Sequence, residues 1–182
     1  MIFKEETIES QYLYKGKILN LRKDLVHSAD GGVTHREIVE HRGGVGLAAL
    51  TDDGKMVLVR QYRKALSRDI LEIPAGKLEE GEDPSWTAAR ELKEETGYTA
   101  GSMEFLGRFY PSVGYTTECI HLFLCRDLTP GDPEPDDTES METEEYPLGE
   151  LYQKALRGEI EDGKTLAAIL MVVGRQHESI DG

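Results

Sequence analysis

Residues Gly76 to Tyr98, GKLEEGEDPSWTAARELKEETGY, constrain this chain more than any other stretch. Asp83 suits a helix N-cap, Pro84 the first helical position and Gly97 the C′ stop, with a run of helix formers between them. At about 100° per residue, Trp86, Ala89, Leu92 and Thr96 form a stripe expected to face the core, with Glu91, Glu94 and Glu95 roughly opposite. These glutamates stand at i, i+3 and i+4, so they share one face. Like charges placed this way destabilise a helix unless something positive sits among them, and hard oxygen ligands suit Mg²⁺ or Mn²⁺. Arg90 lies between the two faces and can hold a carboxylate through paired N–H groups. A bare ExxEE run is more often a solvated helix face, so the reading needs support from the rest of the stretch.

The bulk of the chain narrows the classes. With 182 residues it makes one domain, or one domain with a small appendage. Hydrophobic content of 38% and charged content of 31% fit a globular protein with an ordinary core. A net charge of −14 argues against nucleic acid or an anionic membrane as partner. An anionic substrate must then meet local cations, either metal or arginine. No basic-plus-apolar leader opens the sequence, and the apolar run Leu166 to Val173 is too short to span a bilayer, so the expected compartment is the cytoplasm. Cys119 and Cys125 fall in CIHLFLC; on a strand they would lie ~20 Å apart, too far to pair or to share a zinc ion, and buried thiols are expected.

Alternation predicts short strands over Ser10–Leu19, Leu21–His27 and Thr34–Glu40, able to form a small antiparallel sheet of their own. Val45–Leu50 and Lys55–Gln61 read as a hairpin around Thr51-Asp52-Asp53-Gly54. Ile70–Ile73, Glu104–Phe109 and Ile120–Cys125 read as further strands, with PSVGYTTE between the last two as a loop. Thr129 to Glu145, rich in proline and acid, reads as a mobile loop. Leu148–Leu156 and Thr165–His177 read as helices. Few βαβ units and interspersed helices give an α/β (α+β) class, with a sheet between helices. GEIEDGKT (Gly158–Thr165) fits the phosphate-loop pattern by letter, but the helical LYQKALR before it and the acids within it reject that function. It is expected to be a turn, with Lys164 and Thr165 beginning the second helix.

Gly76, Glu82, Arg90, Glu91, Leu92, Glu94, Glu95 and Gly97 match the fixed spacing of the Nudix box, and only Tyr98 departs, where the box has an aliphatic residue. The chain resembles a Nudix hydrolase, which implies an α/β/α sandwich with a mixed sheet and metal-dependent cleavage of a nucleoside diphosphate linked to another group. REIVEH (Arg36–His41), VRQYR (Val59–Arg63), LEIPAGKLEEGE (Leu71–Glu82), GYTTE (Gly114–Glu118) and DDTESMETEEYPLGEL (Asp136–Leu151) resemble bacterial ADP-ribose pyrophosphatases. That resemblance implies a homodimer in which residues 1–42 form a β subdomain for dimerisation and substrate contacts, with the Nudix domain over 43–182.

By the same resemblance, Glu91, Glu95 and the carbonyl of Ala75 hold Mg²⁺ (Mn²⁺ as the alternative), with Glu94 close by, Glu82 behind them and Arg90 orienting the carboxylates. Arg36 and Arg63 grip substrate and Glu72 lines the same cleft; arginine suits diphosphate because it offers paired donors. Glu139 resembles the loop carboxylate that activates water, with Asp137 and Glu142 as alternatives. The implied reaction splits ADP-ribose into AMP and ribose 5-phosphate. Alternatives are another nucleoside diphosphate sugar such as GDP-mannose, an oxidised nucleotide, or a nucleotide-sensing module without activity. ADP-ribose enzymes show Ser-Pro-Gly after the box, whereas this chain has Ser112-Val113-Gly114, a change that bears on the pocket for the terminal ribose.

Overall fold

Strand pairing in the computed structural model, which describes residues 2–134 and 140–178, divides the chain into two compact units: Met1–Gly43 with Phe109–Cys119, and Gly44–Arg108 with Ile120–Gly182. In the first unit, β1 (Thr7–Lys15), β2 (Leu19–His27) and β3 (Val33–His41) form an antiparallel sheet in that order. The expected strand Ser10–Leu19 in fact starts at Thr7 and ends at Lys15, and a short turn before Leu19 reverses the chain. The loop after Phe109 runs along β3: the Val39 amide donates to the Tyr115 carbonyl at 2.7 Å and the Thr117 amide to the Val39 carbonyl at 3.0 Å. The Thr117 hydroxyl accepts from the His41 amide at 2.9 Å. GYTTE is thus a third-party edge to the small sheet, and Val113 within this loop is 84% exposed.

The second unit is built on a seven-stranded mixed sheet among the described residues. Its main path is β10 (Met141–Pro147), β5 (Lys55–Arg63), β4 (Gly44–Leu50), β9 (Ile120–Thr129) and β8 (Thr99–Phe109). β6 (Arg68–Glu72) pairs with β5, and β7 (Ala75–Lys77) with β4. β4 runs parallel to β9 and antiparallel to β5 and β7. Every residue of β4 is buried, as expected for a central strand covered on both faces. Its odd positions Val45, Leu47 and Ala49 join Phe123, Cys125, Ala88 and Leu92 in one cluster under α1 (Pro84–Thr96). Side chains alternate along a strand, so the even positions face the other way. That face is left to α3 (Gly163–Glu178), which packs on β4 and β9 and buries Ala168, Ile169 and Val172. α2 (Leu148–Leu156) keeps the bounds expected from its sequence. Cys119 and Cys125 are both free, and burial pushes the Cys125 thiol up to about 12.

Two expectations need correction. The end of the stretch read as a loop, from Met141 to Glu145, belongs to β10, which pairs antiparallel with β5 from Met141↔Gln61 to Pro147↔Lys55. This is an edge strand whose backbone pairs with β5, while Glu144 is held by Arg60 and Glu145 accepts from the Tyr98 hydroxyl. The second correction concerns the face of α1. Asp83 caps it, accepting from the Ser85 amide at 2.8 Å, and Gly97 ends it at φ 76°, as the sequence predicts. The buried residues, however, are Thr87, Ala88, Leu92, Glu95 and Thr96. Trp86 is 71% exposed and Ala89 is exposed. The helix is turned roughly a quarter revolution from the apolar stripe, so that Glu95 meets a backbone partner inside the fold while Trp86 stays in solvent.

Leu92→Ala should therefore cost about 2–5 kcal/mol, whereas Trp86→Ala should stay within about 0.5 kcal/mol. Denaturant unfolding of the two variants checks the assignment, and equal losses would restore the sequence-derived face.

Candidate active site

The acidic face of α1 lies over β7 and the segment leading into it. Glu95 is 7% exposed, and its Oε2 accepts from the Ala75 amide at 2.9 Å. A buried carboxylate needs such donors to stay charged. Gly76 follows directly, and an added Cβ there would overlap the carboxyl group of Glu91. Glycine at this position therefore makes room for Glu91 against the strand backbone. Arg90 places Nη1 at 2.9 Å from Glu91 and 2.8 Å from Glu94, while Nη2 lies 3.6 Å from Glu82. Burial disfavours the charge of Arg90, but these three carboxylates outweigh it and raise its pKa. The Glu79 amide and the Thr87 hydroxyl, with Arg90, hold Glu82 below the ordinary carboxylate range.

Three box carboxylates, Glu82, Glu91 and Glu94, thus share one guanidinium, with Glu95 beside them. The surplus of negative charge and the hard oxygen donors fit a divalent cation of the Mg²⁺ type. Among the described residues, no three acidic, histidine or cysteine side chains already converge as a ligand set, and Arg90 sits between the carboxylates in this arrangement.

A second cluster borders the first. Arg63 holds Glu72 with two prongs, Nε to Oε1 at 2.6 Å and Nη2 to Oε2 at 2.8 Å. Glu72 is 3% exposed, and Lys164 also donates to its Oε2. Burial alone would raise the Glu72 pKa, but Arg63 and Lys164 together hold it below its ordinary value of 4.5. The charge of Glu95 reaches Arg63, which ties the two clusters electrostatically. Lys164 also contacts Asp162 at 3.1 Å. Asp162 caps α3, accepting from the Thr165 amide at 2.9 Å and its hydroxyl at 2.5 Å. The Thr165 hydroxyl in turn accepts from the Ile73 amide at 2.8 Å. GEIEDGKT is accordingly a turn and a cap, with its lysine and threonine committed to protein partners. The sequence rejects this stretch as a phosphate loop but gives no sign that Lys164 reaches Glu72, 92 positions away.

The other expected residues are placed as follows. Arg36 lies on β3 in the first unit and is gripped by both oxygens of Glu5. Glu142 lies on β10, exposed, opposite Arg60 in the ladder. Asp137 and Glu139 lie outside the described residues. The chain on either side of them is fastened to the end of α1. The Glu134 amide donates to the Glu94 carbonyl at 2.9 Å, and Lys93 lies 3.5 Å from Glu134. On the far side, the Tyr98 hydroxyl donates to Glu145 of β10 at 2.7 Å. The one departure from the box, a tyrosine for an aliphatic residue, thus links the helix to the strand beyond.

A mixed sheet flanked by helices, with a carboxylate-lined helix resting on a Gly-containing strand, fits a hydrolase of phosphoanhydrides. The chain belongs to the Nudix family and is a Nudix hydrolase: residues 40–169 match the NUDIX domain. Residues 5–39 match the nucleoside diphosphate sugar hydrolase N-terminal domain. The chain is 42% identical to the ADP-ribose pyrophosphatase of Bacillus subtilis (strain 168), covering 91% of this chain and 90% of that protein. It is equally 42% identical to the methanol dehydrogenase activator of Bacillus methanolicus, covering 92% of each. A solved structure titled as an ADP compounds hydrolase superposes with a TM-score of 0.86 over 98% of this chain and 97% of that one; at 19% identity it speaks for the fold alone. Among the described residues, no helix is long and apolar enough to cross a membrane.

Because the Glu72 pKa is lowered on folding, its charge stabilises the fold above the unfolded value near 4.5, and this contribution is lost as pH falls through the lower folded value. Glu72→Gln, which leaves Arg63 and Lys164 without their shared acceptor, should cost about 3 kcal/mol at pH 7. The gap from wild type should narrow below pH 4.5. Denaturant unfolding at several pH values measures it, and a gap that widens on acidification would refute the sign.

Proposed function

We propose that the chain hydrolyses the pyrophosphate linkage of ADP-ribose to AMP and ribose 5-phosphate, with Mg²⁺, or Mn²⁺ in its place, as cofactor. The observation that carries this reading is a Nudix box complete but for Tyr98, joined to near-full-length similarity with an ADP-ribose pyrophosphatase. Glu91 and Glu95, with the carbonyl of Ala75, would hold the metal, and Glu94 stands close enough to assist. When bound, the metal neutralises the diphosphate and activates water. Arg90 orients the carboxylates by pairing with Glu91 and Glu94. The buried Ala75–Glu95 hydrogen bond fixes the strand against the helix, so the donors are set before substrate arrives.

Arg63 and Arg36 are assigned to gripping the diphosphate and its flanking groups. Arg63 spends Nε and Nη2 on Glu72, and Nη1 has no acceptor among the described residues. Glu139 is assigned as the carboxylate that takes a proton from water, with Asp137 and Glu142 as the alternatives. Residues 1–42 are proposed as the dimerising and substrate-contacting subdomain, and 43–182 as the hydrolase domain. All of β1 is exposed, including Tyr12, Leu13 and Tyr14, and an exposed apolar edge of this kind fits pairing with a second copy. Two free cysteines fit a reducing compartment such as the cytoplasm. A second reading, another nucleoside diphosphate sugar such as GDP-mannose, is favoured by Val113 where the ADP-ribose enzymes have proline.

A turnover screen of ADP-ribose, other nucleotide sugars and oxidised nucleotides, each with Mg²⁺ and with Mn²⁺, tests the assignment. ADP-ribose should give the highest kcat/KM, and a better nucleotide sugar would transfer the reading to that substrate. EDTA should abolish turnover, and Glu95→Gln should lower kcat by roughly a hundredfold or more while circular dichroism stays unchanged. Undiminished activity in EDTA would remove the metal from the mechanism.

Light scattering of protein from the cytosolic fraction should give twice the chain mass of 20.4 kDa, and Leu13→Asp should shift it towards one. A wild-type monomer would exclude the dimer.

A further inference from the structure

Asp162, Lys164, Glu72 and Arg63 form an alternating chain of charges that runs from the start of α3 to the edge of the box. Lys164 lies within reach of both carboxylates, donating to Glu72 Oε2 and standing 3.1 Å from Asp162. Its side chain is 13% exposed, so it is held inside the protein rather than waving from it. Asp162 is fixed because it caps α3 through the Thr165 amide and hydroxyl. Thr165 is wholly buried and anchors the strand end at Ile73. One end of the charge chain is therefore rigid. The other end is Arg63, partly exposed, with two of its nitrogens spent on Glu72.

Without Lys164, buried Glu72 would depend on Arg63 alone for both of its oxygens. Arg63 alone would then offset the buried charge, which favours its guanidinium turned inward over the carboxylate. With Lys164 in place, Glu72 has a second cation on Oε2 and a fixed position. Its two oxygens then set the plane of the guanidinium, since a two-pronged pair is planar. Small displacements of a group that meets substrate carry large penalties.

We propose that Lys164 is a positioning residue for substrate binding: acting through Glu72, it orients Arg63 towards the phosphates of a nucleoside diphosphate substrate. This inference rests on the proposed pyrophosphatase function, and it adds a residue outside the Nudix box and outside the N-terminal strands. Lys164 acts before chemistry, so its loss should appear in substrate binding rather than in the chemical step.

The test compares Lys164→Arg, Lys164→Gln and Lys164→Met with wild type on ADP-ribose at saturating Mg²⁺. Arginine keeps the charge, glutamine keeps only a donor, and methionine keeps neither. KM should rise in the order Arg, Gln, Met, reaching about tenfold or more for Met, with kcat within about threefold throughout. The graded order can be read from any two variants that fold. Unchanged KM in Gln and Met, a loss confined to kcat, or an equal loss in all three variants would overturn the role of Lys164 while leaving the function standing. Wild-type protein that cleaves no nucleoside diphosphate sugar would overturn the function and this proposal with it.

Discussion

A single hydrogen bond, from the Ala75 amide to the buried carboxylate of Glu95, joins the two halves of the site. It brings α1 down onto the turn before β7 and gives a buried charge the donor it needs. Once Glu95 is in place, Glu91 must lie against the strand backbone, and only glycine at position 76 leaves room for it. Arg90 is then surrounded by Glu82, Glu91 and Glu94 and becomes their shared counter-charge. The face that α1 turns inward is the one that carries this contact.

The same turn is held from its other side. β6 ends at Glu72, and the next amide, from Ile73, donates to Thr165 at the start of α3. A few residues of chain are therefore clamped between α3 and α1, two helices that cover opposite faces of the central strand. This explains why a half-exposed arginine on β5 and a buried acid on α1 are linked electrostatically. The candidate site is built on element ends that the core already fixes.

Much of this was legible in the sequence, and the exceptions share a cause. The caps of α1, both ends of α2 and the β4–β5 hairpin are local signals, and the structure keeps them. An apolar stripe is a statistical preference and does not show the buried face of α1, because the burial of Glu95 depends on an amide 20 positions away. The acidic composition of β10 suggests a loop; it is a strand because β5 offers it an open edge. Lys164 looks like no more than the start of a helix, since nothing near it in sequence points to Glu72. Val113 lies in a loop that lines β3 of the small sheet, and that placement too comes from contacts across 76 positions.

By itself the sequence determined the chemistry: eight residues at fixed spacing specify a carboxylate-rich helix end, because ligand type and helical periodicity are local properties. The tertiary structure decided which carboxylates are buried, which cations face them, and that Lys164 of α3 reaches Glu72. Those choices depend on the energy of burying charge, and a charge can be buried only beside partners that the fold brings from far along the chain.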